Sequence, residues 1–375
     1  PDGFQPLNDA NTRPVKVIPR SDQFVGIVTY TGNVTARSIT MDNSLMSPDF
    51  VWIKTRNHAY WHYLYDTVRG ATKELYSNAT NAEATDAGGL TSFDSNGFSL
   101  GTNIATNGSA KTLVAWCWKA GGSKNTFNVD DVGYASAAAA GLTGGSLSLT
   151  GASVGTKQGF SIVKWTDQNG VQSLPHGLLQ APDFILIKDL GSSVNWSVYH
   201  SSMGNALAMY LNNTDAAFST SRWDTKDPTS SIFYWSDNTS TNSQIAYCWH
   251  DIPGLQKFGQ FTGNGNVDGV FVQLGFKPAI IWTRETGNAG KWVIFDSTRS
   301  KINPTAHTLW ADADLVENDT SINPDVSYNN MDILSNGFKM RSNSTGTNRS
   351  GGTYIYCAWA EAPTIDLYGG GANAR

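Results

Sequence analysis

Charged residues are scarce in this sequence of 375 residues, at 15% against about 25% in an average soluble protein. Lys and Arg number 26 and Asp and Glu number 31, which gives a formal net charge of −5. Nucleic-acid binding depends on a broad positive surface, so DNA and RNA are not expected as partners. Gly, Asn, Ser and Thr supply the polarity instead, and we expect a polar but weakly charged surface.

Long apolar runs and paired cysteines are also missing. No run approaches the roughly 18 apolar residues of a membrane-spanning helix, so membrane insertion is not expected. The three cysteines, Cys117, Cys248 and Cys357, lie far apart and form none of the close pairs typical of zinc or redox sites. The six histidines form no HExxH or His-x-His pair. The sequence therefore predicts free core thiols and no protein-held transition metal.

Aromatic residues are abundant, at 11% of the chain with 13 Trp. This content excludes a disordered chain, because such chains lack the groups that bury area. Short apolar segments rich in Val, Ile, Tyr, Trp and Phe alternate with Gly, Asn, Asp and Ser clusters, and helical periodicity is nearly absent. We predict an all-β protein with under about a tenth of its residues in helices.

An internal repeat organises the chain. Residues 48–54 (PDFVWIK) return as 182–188 (PDFILIK) and, more loosely, as 278–284 (PAIIWTR). Each copy continues to a second Trp-bearing segment and closes on a third, at Trp61 and Trp118, Trp196 and Trp249, and Trp292 and Trp359. We therefore predict three tandem β-sandwich domains of a jelly-roll or lectin-like type.

The repeat landmarks set the domain limits. They are an N-terminal arm at 1–21, sandwiches at 22–120, 158–256 and 257–363, a Gly/Ala/Ser-rich connector at 121–157 that carries a hinge or an added strand, and a C-terminal tail at 364–375. We call the three sandwiches the first, second and third repeat. Since the sequence starts at Pro1, we expect it to be a cut from a longer polypeptide.

The closing strands also orient the cysteines. Cys117 and Cys248 occupy equivalent positions, whereas Cys357 is displaced by one residue. Because strand side chains alternate between faces, Cys357 is expected to point to the opposite face.

Several stretches match a known class of protein. They are residues 48–54 (PDFVWIK), 65–70 (YDTVRG), 93–98 (FDSNGF), 129–136 (VDDVGYAS), 150–153 (TGAS) and 373–375 (NAR). Together they resemble a repeat domain of virion structural proteins of tailed phages of marine bacteria, especially cyanophages. The resemblance implies a β-rich module of a fibre-like or appendage protein at the surface of the phage particle. It transfers no catalytic residues.

The first functional hypothesis is a non-enzymatic fibre or capsid or tail appendage component that contributes to host-surface attachment. Two alternatives remain open: a polysaccharide-degrading tail spike with two facing carboxylates, and a bacterial surface adhesin built from the same modules. The expected partners are other virion proteins, a host surface glycan, and further copies of the chain, with a trimer favoured. Edge strands with so few protecting charges favour such contacts.

Two pairs of oppositely charged residues follow strands at a spacing that suits a turn. They are Asp66 with Arg69 and Asp296 with Arg299. A carboxylate can bond the turn amides while the guanidinium reaches back to it, so we interpret both pairs as structural. The second repeat has His200 at this position and lacks the pair.

Two loops are the candidate ligand-binding regions. Their residues are Asn57, His58 and Tyr60 in the first repeat and Asp312, Asp314, Glu317 and Asp319 in the third. Loop aromatics beside polar groups can stack on sugars. The acidic segment has enough oxygen donors for calcium but lacks the glycine and the spacing of a known calcium loop. We expect no cofactor, with calcium as the alternative, and ligand contacts at these loops.

Overall fold

The computed structural model describes residues 20–41, 46–237, 241–305, 307–319, 330–365 and 371–372. Strands make up 42% and helices 2%, which confirms the predicted all-β class. The helical segments are a 3₁₀ turn at Ser21–Gln23 and a one-turn helix, α1, at Ile104–Asn107. Among the described residues, no helix is long and apolar enough to cross a membrane.

The first repeat forms a large and a small antiparallel sheet. Its strands are β1 (Val25–Thr31), β2 (Arg37–Thr40), β3 (Phe50–Thr55), β4 (Tyr63–Asp66), β5 (Lys73–Tyr76), β6 (Ala84–Thr85), β7 (Leu90–Asp94), β8 (Gly97–Leu100) and β9 (Thr112–Trp118). The large sheet has the order β1-β9-β3-β4-β5-β6 and the small one β2-β8-β7.

The second repeat has the same plan with extra strands at one edge. The strands before and within it are β10 (Phe127–Val129), β11 (Val132–Tyr134), β12 (Gly151–Gly155), β13 (Phe160–Thr166), β14 (Gly170–Pro175), β15 (Phe184–Asp189), β16 (Ser197–His200), β17 (Leu207–Tyr210), β18 (Phe218–Ser219), β19 (Ile232–Asp237) and β20 (Ser243–Trp249). The large sheet has the order β11-β10-β12-β13-β20-β15-β16-β17-β18, and β14 pairs with β19.

The third repeat again pairs its first and last strands. Its strands are β21 (Gln256–Thr262), β22 (Phe271–Gln273), β23 (Pro278–Glu285), β24 (Val293–Asp296), β25 (Leu309–Trp310), β26 (Met331–Leu334), β27 (Gly337–Met340) and β28 (Thr353–Ala360), and the short pair β29 (Thr364–Ile365) and β30 (Gly371–Ala372) follows. The sheets have the orders β21-β28-β23-β24-β25 and β22-β27-β26.

The segment at 121–157, predicted as a connector, supplies three strands to the second repeat. β12 pairs antiparallel with β13 and parallel with β10, so it covers the side of β13 that would otherwise be the edge of the second large sheet. The equivalent outer strands β1 and β21 form the edges of their sheets in the part of the chain that the structure describes. Of the alternatives in the prediction, this segment therefore takes the added-strand form.

In each repeat the small sheet packs on one face of the large sheet to form a sandwich. In the first repeat, Leu113, Ala115 and Cys117 of β9 share a buried cluster with Ile39 and Phe98 of the small sheet. The second and third repeats have equivalent clusters. Alternate strand residues therefore build three separate sandwich cores.

The other face of each large sheet packs on the other two repeats. Trp118, Trp249 and Trp359 end the three closing strands, and their ring centroids lie 5.4–6.3 Å apart in T-shaped contacts. One buried cluster contains residues of all three repeats around these rings. The three sandwiches therefore pack into one body with approximate threefold symmetry, rather than forming three independent domains.

This arrangement explains why the closing strands are apolar at successive positions. β9 is buried on both faces, because one face belongs to its sandwich and the other to the shared core. The three cysteines are buried and free, as predicted. Cys117 and Cys248 lie in sandwich cores and Cys357 in the shared core, which confirms the predicted reversal of its direction.

Candidate ligand-binding site

The first turn pair joins two repeats. The Oδ1 atom of Asp66 accepts hydrogen bonds from the backbone N–H groups of Val68 at 3.0 Å and Arg69 at 2.8 Å. Its Oδ2 atom accepts from Nε of Arg69 at 2.5 Å and from the hydroxyl of Tyr247 in the second repeat at 2.7 Å. Burial alone would lower the pKa of Arg69, but the nearby Asp66 carboxylate raises it above its usual value. The pair is thus a buried tie between the first and second repeats.

The equivalent positions continue these contacts around the molecule. Asp296 accepts from Arg299 and, through Oδ2, from Nε1 of Trp116 in the first repeat at 2.9 Å. In the second repeat, Nδ1 of His200 accepts from the turn amide of Ser202, and Nε2 contacts the carbonyl oxygen of Tyr356 in the third repeat at 3.2 Å. Burial lowers the pKa of His200 to about 4, so it is neutral at pH 7. The contacts close a ring through all three repeats.

Buried basic side chains form a second ring of contacts between the repeats. The Nζ atom of Lys54 lies 3.2 Å from the carbonyl oxygen of Asp314 in the third repeat, and Lys188 Nζ lies 3.0 Å from that of Thr80 in the first. Arg284 Nη2 lies 2.5 Å from the carbonyl oxygen of Asp215 in the second repeat. Burial lowers the pKa of Lys54 to about 7 and that of Lys188 to about 8. These groups tie neighbouring loops together.

The acidic segment of the third repeat is part of the same interface. Asp312 is buried and accepts the backbone N–H of Trp292 at 2.8 Å. Burial raises the pKa of Glu317, but Arg299 and Arg56, at 2.8 and 2.7 Å, bring it below its usual value.

The other two acidic residues of the segment lie close by. Asp314 contributes its carbonyl oxygen to Lys54, and Asp319 is half-buried. Within the described ranges, no group of three or more His, Cys, Asp or Glu residues is placed to hold a metal ion.

The two loops singled out from the sequence lie side by side. The backbone N–H of Glu317 donates to the carbonyl oxygen of Arg56 at 2.7 Å. Lys54 Nζ lies 3.3 Å from the carbonyl oxygen of His58, in addition to its contact with Asp314. Segments some 260 residues apart in sequence therefore form one surface at the contact between the first and third repeats.

The exposed part of this surface is an aromatic and basic cluster, which we call the loop cluster: Asn57, His58, Tyr60 and Lys111. The rings of His58 and Tyr60 stack with centroids 6.0 Å apart and an interplanar angle of 19°. Lys111 hydrogen-bonds Nε2 of His58 and lies 5.9 Å from the Tyr60 centroid. Asn57 anchors the loop by accepting the backbone N–H of Thr112 at 3.0 Å.

Sequence reasoning missed Lys111 and misaligned Trp61. Lys111 is 53 residues from His58 and comes near it because β3 pairs with β9. The repeat pattern pairs Trp61 with Trp196 and Trp292, but Trp61 is 38% exposed and packs edge-on against Tyr76 with ring centroids 4.8 Å apart. His62 takes the buried position, because it lies eight residues after Lys54, as Trp196 does after Lys188.

The loop cluster is specific to the first repeat. The equivalent loops are residues 191–194 (GSSV) in the second repeat and 287–290 (GNAG) in the third, and neither carries an aromatic side chain. The buried frame thus repeats while its surface loops differ. The chemistry on offer at the loop cluster is stacking and hydrogen bonding, which are suited to a polar ligand with apolar faces.

Comparison with known proteins places the whole repeat array in one family. No curated protein matches the chain at a significant level. A family model described as a domain of unknown function, DUF7483, matches residues 20–363, which include all three repeats and the strands between the first two. The chain therefore belongs to the DUF7483 family.

Proposed function

We propose that this chain is a non-enzymatic structural component of a tailed-phage virion, a fibre or a capsid or tail appendage that takes part in host-surface attachment. The observation that carries the proposal is the contrast between a repeated buried frame and a loop cluster found on one repeat. A rigid frame that displays different loops suits recognition without chemistry. The resemblance of residues 48–54, 65–70 and 93–98 to phage appendage proteins supplies the virion context.

The use of the buried ionisable groups supports a structural rather than a catalytic role. Asp66, Asp296 and Glu317 are each held by an arginine, and Lys54 and Lys188 by backbone carbonyls. A glycosidase needs an acid and a second carboxylate facing a substrate cleft. The test of the spike alternative is an incubation with host envelope polysaccharide, in which we expect no new reducing ends.

Assembly with other chains is part of the proposal. β1 and β21 form sheet edges in the described part of the chain, whereas β12 covers the equivalent edge of β13. Unpaired edges offer backbone groups to a partner strand. We propose that these edges meet other virion proteins or further copies of this chain, with a trimer favoured. Light scattering that gives a monomer at micromolar concentration would contradict self-association.

Mass spectrometry of gradient-purified virions tests the proposal. The protein should be present in intact particles at a constant ratio to the major capsid protein. Absence from purified particles made in cells that express the gene would overturn the virion assignment. A second readout is adsorption to the host: Tyr60→Ala should weaken it, and Tyr134→Ala, on a strand of the second repeat away from the loop cluster, serves as the control.

A further inference from the structure

A cavity of about 370 Å³ opens on the second repeat, at its contact with the first. Strand residues Tyr210 and Trp235 form part of its wall, and Thr80 of the first repeat contributes to its rim. The volume lies within the range of about 300–1,000 Å³ that is usual for small-ligand sites. This cavity shares no residue with the loop cluster, so it is a separate candidate.

Arg222 gives the cavity a positive charge. The guanidinium carbon lies 5.8 Å from the ring centroids of both Tyr210 and Trp235, and Nη2 lies 3.4 Å from the Tyr210 hydroxyl. In the described part of the chain, no carboxylate forms an ion pair with Arg222. The two rings hold the guanidinium in place and leave its planar fork available to a ligand.

The carboxylate that lines the cavity is engaged elsewhere. Asp189 accepts hydrogen bonds from Gly191 N, Ser192 N, Asn242 Nδ2 and Gln244 Nε2. A carboxylate has about four acceptor positions, so these donors satisfy it. Arg222 is therefore the cation to which an incoming anion would bind.

Neutral polar groups surround the cation. Asn195 accepts a hydrogen bond from Asn212 through Oδ1 at 2.7 Å, which leaves its amide N–H groups as donors. Thr80, Ser193 and Ser197, which carry hydroxyl groups, also line the cavity. Hydroxyls and amides beside one arginine match a ligand with several hydroxyl groups and one carboxylate.

We propose that this cavity binds a sugar unit carrying a carboxylate, a hexuronic acid of a surface polysaccharide. Arg222 pairs with the carboxylate, while Asn195 and Thr80 bond the ring hydroxyls. The assignment deepens the proposed attachment function and rests on it for its biological setting. The binding itself is a property of the isolated protein and is tested separately.

The test is a titration of the purified chain with D-glucuronate, D-glucose and sodium sulfate at equal ionic strength, followed by calorimetry or ligand-observed NMR. We expect glucuronate to bind, and Arg222→Gln to weaken it about tenfold or more, because a charged bidentate contact is lost. Arg222→Lys keeps the charge without the fork and should bind with intermediate affinity. Arg37→Gln is the matched control, because Arg37 stacks on Tyr30 at 5.4 Å in the first repeat.

Each outcome separates the possible explanations. Equal binding of glucose, equal competition by sulfate, or full binding by Arg222→Gln with an unchanged thermal midpoint would each overturn the assignment. If Arg222→Gln does not fold, the glucuronate affinity of Arg222→Lys is the test, and an affinity equal to that of the wild type would overturn the assignment. If the protein binds glucuronate but is absent from virions, the binding site is supported and the virion role is overturned. If the protein is present in virions but does not bind glucuronate, the virion role is supported and the binding site is overturned.

Discussion

Removal of the Asp66 carboxylate is expected to destabilise the whole molecule. Asp66 receives hydrogen bonds from Val68, Arg69 and Tyr247, and the side chains of Asp66 and Arg69 are both fully buried. In Asp66→Ala, the Arg69 guanidinium stays buried and loses its closest counter-charge, and only the longer contact of its Nη1 atom with Glu83, at 3.6 Å, remains. Breaking such a pair by removing one partner costs about 3–5 kcal/mol of the free energy of unfolding.

The tie to the second repeat can be separated from the turn itself. Tyr247→Phe removes only the hydroxyl that donates to Asp66 at 2.7 Å. A hydrogen bond to a charged group contributes about 1.5–3 kcal/mol, so this is the expected loss. In Asp66→Ala the added Tyr247→Phe change should cost less than it does alone, because the two groups interact directly.

The assay is chemical denaturation followed by Trp fluorescence and by circular dichroism. Because the repeats share a core, both signals should report the same single transition in wild type and variants. Lys226→Met is the control, because the Lys226 side chain of the ion pair with Asp224 is exposed to solvent and its loss should leave the free energy of unfolding nearly unchanged. A loss below about 1 kcal/mol in Asp66→Ala, or a separate transition for one repeat, would refute the reasoning.

Three further outcomes follow from the shared frame. Burial lowers the pKa of His200 to about 4, against about 6.5 in the unfolded chain; stability should therefore fall as pH drops from 6.5 to 4, and His200→Gln should reduce that slope in denaturation curves. Thiol titration should find Cys117, Cys248 and Cys357 unreactive in the native protein and all reactive after unfolding, since burial raises each thiol pKa; a mass consistent with a disulfide would contradict this. Trp118→Ala should lower the thermal midpoint of a single unfolding transition in calorimetry. A separate transition for the first repeat at lower temperature would count against a shared core.

The sequence was sufficient for the sandwiches because their signal is local. The short apolar run in residues 48–54 and its recurrence predict strands and repeats directly. The sequence contains only a partial local indication of the shared core, which is that β3 is apolar on both faces. Its partners could not be read locally, since the contact of Asp66 with Tyr247 joins residues 181 positions apart.

The candidate site could likewise be predicted only where its residues are neighbours in the sequence. His58 and Tyr60 were visible because they are aromatic residues in one polar loop. Lys111 joins them through the β3–β9 pairing, which a sequence without known register does not give. The Arg222 cavity was missed because Arg222, Trp235 and Asn195 come from different strands and loops and carry no shared motif.

The most direct test of the central claim is labelling of intact virions with an antibody raised against the folded chain. Electron microscopy should show label on a surface appendage or projection of the particle, and the bound antibody should reduce adsorption to the host. Particles that contain no accessible label, with the same antibody recognising the purified protein, would contradict a role in host attachment.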